Sequence, residues 1–339
     1  MAAIPPVLLP RRGLYPEYVG GFIGNVRPAT DALASIQNCF STGAVNGSGR
    51  WTGGFIGYIY RATSDCGNVE ISKCYSTSPV AVSGKSYVAG FIGRTYMVTG
   101  SHLTIEKSYA TGNVTSNQSC ASAFIGEIGE ATTCSISDCY STGNIVGSDQ
   151  IRGGLIAAVN ANDATSVTIS RCYSTSSLSD GSFRLGGLIG NIAGTNCTME
   201  DCAAWNGAVT ATSYSYNKNW SSGTIVGTAH PNCHLTNNFR KPGMTVTMWW
   251  APAADYDHPD VEGTTHPLVI RNNEAPYTYT EATATTLGAP YQFPYHGWHT
   301  TQTRLSTLAS MAKGASSGQG GLGWSSEVWD FSGELPTLK

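Results

Sequence analysis

The densest run of metal-ligand residue types is Asp255-Tyr256-Asp257-His258-Pro259-Asp260-Val261-Glu262, with His266 shortly after. Alternating carboxylates in a short loop supply hard oxygen ligands, and Asp255, Asp257 and Asp260 would suit Ca²⁺. A solvated acidic loop has the same composition and is the competing interpretation. His230, Cys233 and His234 could begin a zinc site, but they offer only three ligands, and the chain contains no Cys-x-x-Cys pair. Gly320-Gly321-Leu322-Gly323 lacks the Lys-Ser or Lys-Thr that follows a phosphate-binding loop. No cofactor is expected, with Ca²⁺ as the one candidate ion. The carboxylates Glu127, Glu130, Asp138, Asp163 and Asp180 stand at unrelated offsets. No two recur at a spacing that would pair them for acid–base work. The reading is of a protein that is not an enzyme.

Binding chemistry is better represented. Trp205, Trp220, Trp249, Trp250 and Trp298, with Tyr214, Tyr216, Tyr295 and His299 among them, form a pool of aromatic residues late in the chain. An indole face stacks on a sugar ring and its N–H donates a hydrogen bond, so these tryptophans are candidate glycan contacts. The competing interpretation is that they build an apolar core.

The elements that must position these residues repeat. Gly20-Gly21-Phe22-Ile23-Gly24 returns as Gly53-Gly54-Phe55-Ile56-Gly57, Ala89-Gly90-Phe91-Ile92-Gly93 and Ser122-Ala123-Phe124-Ile125-Gly126. Gly153-Gly154-Leu155-Ile156-Ala157, Gly186-Gly187-Leu188-Ile189-Gly190 and a worn Gly223-Thr224-Ile225-Val226-Gly227 follow. A second signature alternates with the first: Ile36…Cys39-Phe40-Ser41-Thr42-Gly43, then Ile71…Cys74-Tyr75-Ser76-Thr77, and so on to a degraded Met199…Cys202-Ala203-Ala204-Trp205. A period of about 33 residues marks a repeat architecture. Each unit offers three short apolar or β-branched segments between Gly, Ser and Asn turns, too short for helices. The expectation is an all-β chain, a parallel β-solenoid (β-helix) of six to seven repeats. Phe22, Phe55, Phe91, Phe124, Leu155 and Leu188 form a structural ladder. The neighbouring isoleucines are expected to face the other way, because side chains alternate along a strand.

Three regions follow: an extended, Pro-rich arm over 1–18, the array over 19–229, and an aromatic-rich, irregular β cap over 230–339. Residues 303–312 are the one helical segment expected in that cap. The arm would attach to other structural subunits, and the protein would be a homo-oligomer. Charged residues are 12% of the 339-residue chain and the net charge is −3, which excludes the clustered cationic surface that nucleic acid requires. No apolar run is long enough to span a membrane. The first residues, with basic Arg11-Arg12 after the apolar stretch and prolines within it, do not read as a secretory signal. Ten cysteines would suit disulfides, but Ser108 replaces one member of the repeating Cys position, and a paired ladder would strand its partner. Buried free thiols are therefore expected. Cys134 with Cys139, and Cys197 with Cys202, remain candidates for disulfides or local contacts.

Together the two signatures resemble the GLUG repeat, a Gly-Leu-hydrophobic-Gly motif matched at Gly187-Leu188-Ile189-Gly190. The ending Trp324…Val328-Trp329-Asp330…Leu335-Pro336-Thr337-Leu338-Lys339 is similar to the end of many such proteins. The resemblance implies a non-catalytic repeat of bacterial adhesins and haemagglutinin-like proteins. The expected function is an extracellular structural or adhesive protein, a virion (phage) fibre, spike or decoration protein contacting a bacterial surface or glycan receptor. The alternatives are a secreted bacterial surface adhesin or filament subunit, and a β-helix carbohydrate-active enzyme.

Overall fold

The computed structural model describes residues 17–250 apart from 30, 61–66, 84–86, 99, 118–119, 132, 149, 163, 182–183, 195, 216–221, 231–232 and 242–243. It also describes 277–279, 291–292, 298–299, 307–313 and 322–339. The chain winds into a parallel β-solenoid, nearly all of it strand and turn. The second coil shows the plan: Trp51–Gly53, Ile56–Tyr60, Asn68–Ser72, Tyr75–Ser76 and Val80–Val82. Each of these five strands stacks on its counterpart in the next coil, giving five ladders, numbered here first to fifth in that order. The first ladder has seven strands, one per coil, running from Tyr18–Gly20 to Ser222–Gly223. Register is strict. Ile23, Ile56, Ile92, Ile125, Ile156, Ile189 and Val226 lie side by side up the second ladder.

Five strands per coil, where three segments were expected, follow from two bends. The Gly-Gly-Phe-Ile-Gly stretch is broken between its second glycine and the phenylalanine, separating the first ladder from the second. At this bend the amides of Phe55 and Ile56 both donate to one carbonyl, Phe91 O, each at 2.9 Å. The same fork joins Leu155 and Ile156 to Leu188 O. Alternation is interrupted there, so Phe55 and Ile56 both enter the same core and both are fully buried. The isoleucines therefore do not face away from the phenylalanine ladder. Phe22, Phe55, Phe91 and Phe124 stack at centroid spacings of 4.8 to 5.0 Å, with planes within 3°. Gly54 sits where a Cβ would lie 2.2 Å from Gly90 O and 2.5 Å from Ser76 Oγ, so close approach between coils excludes a side chain. Serines of the fourth ladder span the core to this bend: Ser41 Oγ donates to Gly54 O at 2.6 Å, and Ser141 Oγ to Gly154 O at 2.7 Å.

The second bend lies between the third and fourth ladders. Asn38, Lys73, Lys107, Asp138, Arg171, Asp201 and Asn237 hold φ between 48° and 53° there, one left-handed residue per coil. Such a conformation is uncommon outside glycine, and here it recurs in register. The residue after it is the repeating cysteine, whose role is that of a cap. Cys139 Sγ donates to Ser137 O at 3.1 Å, Cys172 Sγ to Ser170 O at 3.1 Å and Cys202 Sγ to Glu200 O at 3.2 Å. Ser108 does the same with oxygen, donating to Glu106 O at 2.8 Å and accepting from Cys74 N at 3.1 Å. Asn238 caps the last coil in like manner. The nine described cysteines are free. Cys134 lies in the third ladder beside Val167, away from the bend that holds Cys139. Burial pushes the Cys74 thiol up to about 11 and Cys134 to about 12, which keeps both protonated.

The ladders run past residue 229. His234–Thr236, Phe239–Arg240 and Thr245–Trp250 extend the third, fourth and fifth ladders. The glycine and cysteine signatures have faded there, while Leu235 and Phe239 keep the ladder positions. Beyond them, Tyr277–Tyr279 pairs antiparallel with Thr245–Trp250, and Trp298–His299 pairs antiparallel with Val226–Ala229. In the second and fifth ladders parallel pairing thus ends on reversed strands. The opposite end is open among the described residues, with Phe22 36% and Leu33 52% exposed. The helix falls at Leu308–Lys313, shorter than expected.

Two stability outcomes follow. Phe91→Ala, inside the stack, should lower unfolding free energy by about 3–5 kcal/mol, while Phe22→Ala at the open end should cost under half of that; denaturant titration measures both. Cys139→Ser should stay within ~1 kcal/mol of the parent, because the hydroxyl repeats the Ser108 cap, whereas Cys139→Val should lose about 1–3 kcal/mol by orphaning the capped groups.

Candidate functional site

Among the described residues two lateral faces carry stacked aromatic side chains, and one of them is covered over half its length. The fourth ladder displays Phe40, Tyr75, Tyr109, Tyr140 and Tyr173, stacked at 4.7 to 5.1 Å. Its far half is covered by residues 322–339. Trp329 is fully buried against Tyr140 and Tyr173, and its Nε1 donates to Asp138 Oδ1 at 3.0 Å. Arg171 grips the same carboxylate with Nε and Nη2, at 3.0 and 2.9 Å. Trp324 Nε1 donates to Asp201 O at 2.9 Å, and Tyr173 OH to Pro336 O at 2.7 Å. The C-terminal segment is therefore a strap along the side of the solenoid and not a lid over its end.

That strap decides the fate of one candidate. Trp205 takes the place that Thr175 holds one coil earlier and is buried in the cluster with Trp324 and Trp329. Its ring is occupied by the protein, so it is not a sugar platform. The backbone of Trp249 and Trp250 lies in the fifth ladder and that of Trp298 in an antiparallel strand. Their side chains lie outside what the structure describes, as do Trp220 and the proposed Ca²⁺ loop of Asp255, Asp257 and Asp260. Among the described residues no group of three or more His, Cys, Asp or Glu could hold a metal ion.

The second face flanks the Gly-Gly-Phe bend on the outside. Tyr18, Trp51 and Tyr87 are register partners on the first ladder. Asn25, Tyr58, Arg94 and Glu127 are register partners on the second, with Tyr60 beside Tyr96 two residues on. The bend turns these rows toward each other. Trp51 and Tyr58 stack across it at 4.6 Å, Tyr18 lies 5.2 Å from Trp51 and 5.3 Å from Tyr58, and Tyr58 stacks on Tyr60 at 5.0 Å. The Arg94 guanidinium sits among four rings, 5.2 Å from Tyr87 and Tyr96, 5.6 Å from Trp51 and 5.9 Å from Tyr58. Arg50 covers the Trp51 ring and Arg27 the Tyr60 ring. Such cation–π contacts orient the arginines without quenching their charge.

One carboxylate answers Arg94. Glu127, 2% exposed, forms an ion pair with it and accepts from Asn160 Nδ2 at 2.8 Å. The phenols are held neutral. Burial, then Glu127, raises the Tyr87 hydroxyl far above the usual tyrosine range, and burial raises Tyr58 against the opposing pull of Arg94. Tyr96 is raised by burial and then Glu130, and Tyr18 by burial and then Glu17. The face is thus a set of ring edges with neutral hydroxyls that both donate and accept, an indole N–H and guanidinium groups. It is suited to hydrogen bonding.

Reading along the chain missed this face because its members are a coil apart. Aligning the repeats would have exposed it: Tyr18, Trp51 and Tyr87 share one offset before the glycines, and Tyr58, Arg94 and Glu127 share one after the isoleucine. No family model, curated protein or solved structure matches the chain. No helix among the described residues is long and apolar enough to cross a membrane.

The electrostatic arrangement is checked by Glu127→Gln. Removing the carboxylate takes away one cause of the raised Tyr87 and leaves Arg94, which favours phenolate. Tyrosinate absorbance in the variant should therefore appear at lower pH than in the parent.

Proposed function

We propose that this chain is a non-enzymatic structural and adhesive β-solenoid working outside a bacterial cell, as a fibre, spike or decoration protein of a virus particle. Its aromatic–arginine face is the surface that meets a cell-surface glycan. That face is the observation that carries the proposal. A rod that presents partly exposed rings, hydroxyls and guanidinium groups along its side offers what sugar recognition uses. The cysteine caps support the virion form, since a donating thiol requires the reduced state and assembly in a reducing cytoplasm supplies it. The resemblance of the repeats to GLUG sequences supports a second form, a bacterial surface adhesin, which would use the same face.

The full chain should be retained on bacterial cells or their purified surface polysaccharide. Trp51→Ala combined with Tyr60→Ala should abolish retention while the variant remains folded by far-ultraviolet circular dichroism at the assay temperature. No new reducing ends should appear on prolonged incubation with the polysaccharide. Turnover that disappears in Glu127→Gln would show an enzyme instead and overturn the proposal.

A further inference from the structure

We infer that the ligand of this face is a neutral, linear glycan, lying parallel to the solenoid axis and covering about three sugar units. The inference rests on the reading above and adds the ligand's charge, shape and length.

Direction and length come from the register. Tyr18, Trp51 and Tyr87 succeed one another coil by coil, as do Tyr58, Arg94 and Glu127. Successive coils are spaced by ~4.8 Å, so the three coils that carry the partly exposed Tyr18, Trp51, Tyr60, Tyr87 and Tyr96 present contacts at three levels over roughly 10 Å of axis. The face then ends. In the next positions Cys120 and Ile151 continue the first-ladder row and Ala158 the second, and these pack together as a small apolar cluster. A polymer running along the axis meets equivalent groups at each coil, whereas one running across it meets a single coil's worth.

Charge comes from the census of the face. Arg27, Arg50 and Arg94 stand against Glu17, Glu127 and Glu130. Arg94 is ion-paired to Glu127, while Glu130 and Glu17 adjoin the Tyr96 and Tyr18 hydroxyls. Among the described residues of the face, no cationic excess remains for a uronate or sulfate chain. Hydrogen-bonding capacity does remain. Trp51 Nε1, a donor, and Asn25 Oδ1, an acceptor, are buried without partners on either side of Tyr58. A sugar hydroxyl both donates and accepts, so it could pair with either of these unmet groups once a ligand displaces the ring edges that cover them.

The test uses the full chain with linear glucose, N-acetylglucosamine, galactose, mannose and rhamnose oligomers of graded length, alongside uronate and sulfated polymers. Calorimetry is run at low and high salt. Affinity for a neutral oligomer should rise with length to about three units, level off, and stay unchanged by salt. Trp51→Ala and Tyr60→Ala should each weaken it tenfold or more, with the far-ultraviolet circular dichroism of the folded solenoid retained at the assay temperature. Preferential binding of a polyanion, falling steeply with salt, would overturn neutrality and leave the glycan-contact reading intact. Equal affinity for a monosaccharide would overturn the extended geometry. Adhesion to cells with no glycan bound would overturn the site but not the fibre, and loss of both would overturn the two proposals together.

Discussion

Two amides converging on one carbonyl make this solenoid possible. A chain that turns sharply inside a sheet leaves backbone donors unmatched, and buried donors must be matched. At the Gly-Gly-Phe bend the turn is closed by letting consecutive N–H groups share the carbonyl of the next coil's phenylalanine or leucine. Because the fork reaches into the neighbouring coil, a bend in one coil is held by the bend in the next. The consequences spread outward from there. Consecutive side chains enter the core together, the glycine carbonyl becomes available to the serines opposite, and the outer residues on either side of the bend are brought ring to ring.

The second bend works by different means. It holds non-glycine residues at positive φ, a strained choice in isolation, and relieves the turn with a donor one residue later. Sulfur, hydroxyl and amide all serve, which is why Cys, Ser108 and Asn238 occupy equivalent places. The strained residues point outward, and their side chains are free to acquire other duties. In Asp138 and Arg171 that duty is to receive Trp329. The lateral strap is thus built on a row whose backbone was fixed for unrelated reasons.

The period, the phenylalanine ladder and the solenoid itself were legible in the sequence because like residues must stack on like. The strand count was not, since neither the shared carbonyl at Phe91 nor the left-handed turn at Asp138 leaves a mark in hydrophobic periodicity. Which of the two readings holds for Trp205 was not legible for a simpler reason. Its burial depends on Trp324 and Trp329, far along the chain, and no local pattern announces a contact of that separation. Tyr58 and Arg94 look unremarkable where they stand and acquire meaning only beside their neighbours one coil away. Sequence reading along the chain is sensitive to what a strand repeats and blind to what adjacent strands assemble.

The strap also determines how the molecule bears load. In a bare solenoid each coil touches only its neighbours, so tension on the end of the chain peels coils away singly, each bond row failing in turn. Here the chain's last residues return to the side of the rod. Trp329 is tied at Asp138, Tyr173 at Pro336 and Trp324 at Asp201, while the Lys339 amide donates to Val328 O at 3.0 Å. Tension applied to residues 322–339 would therefore be shared among contacts to three coils. A rod held through this segment would resist pulling where an unstrapped one unravels.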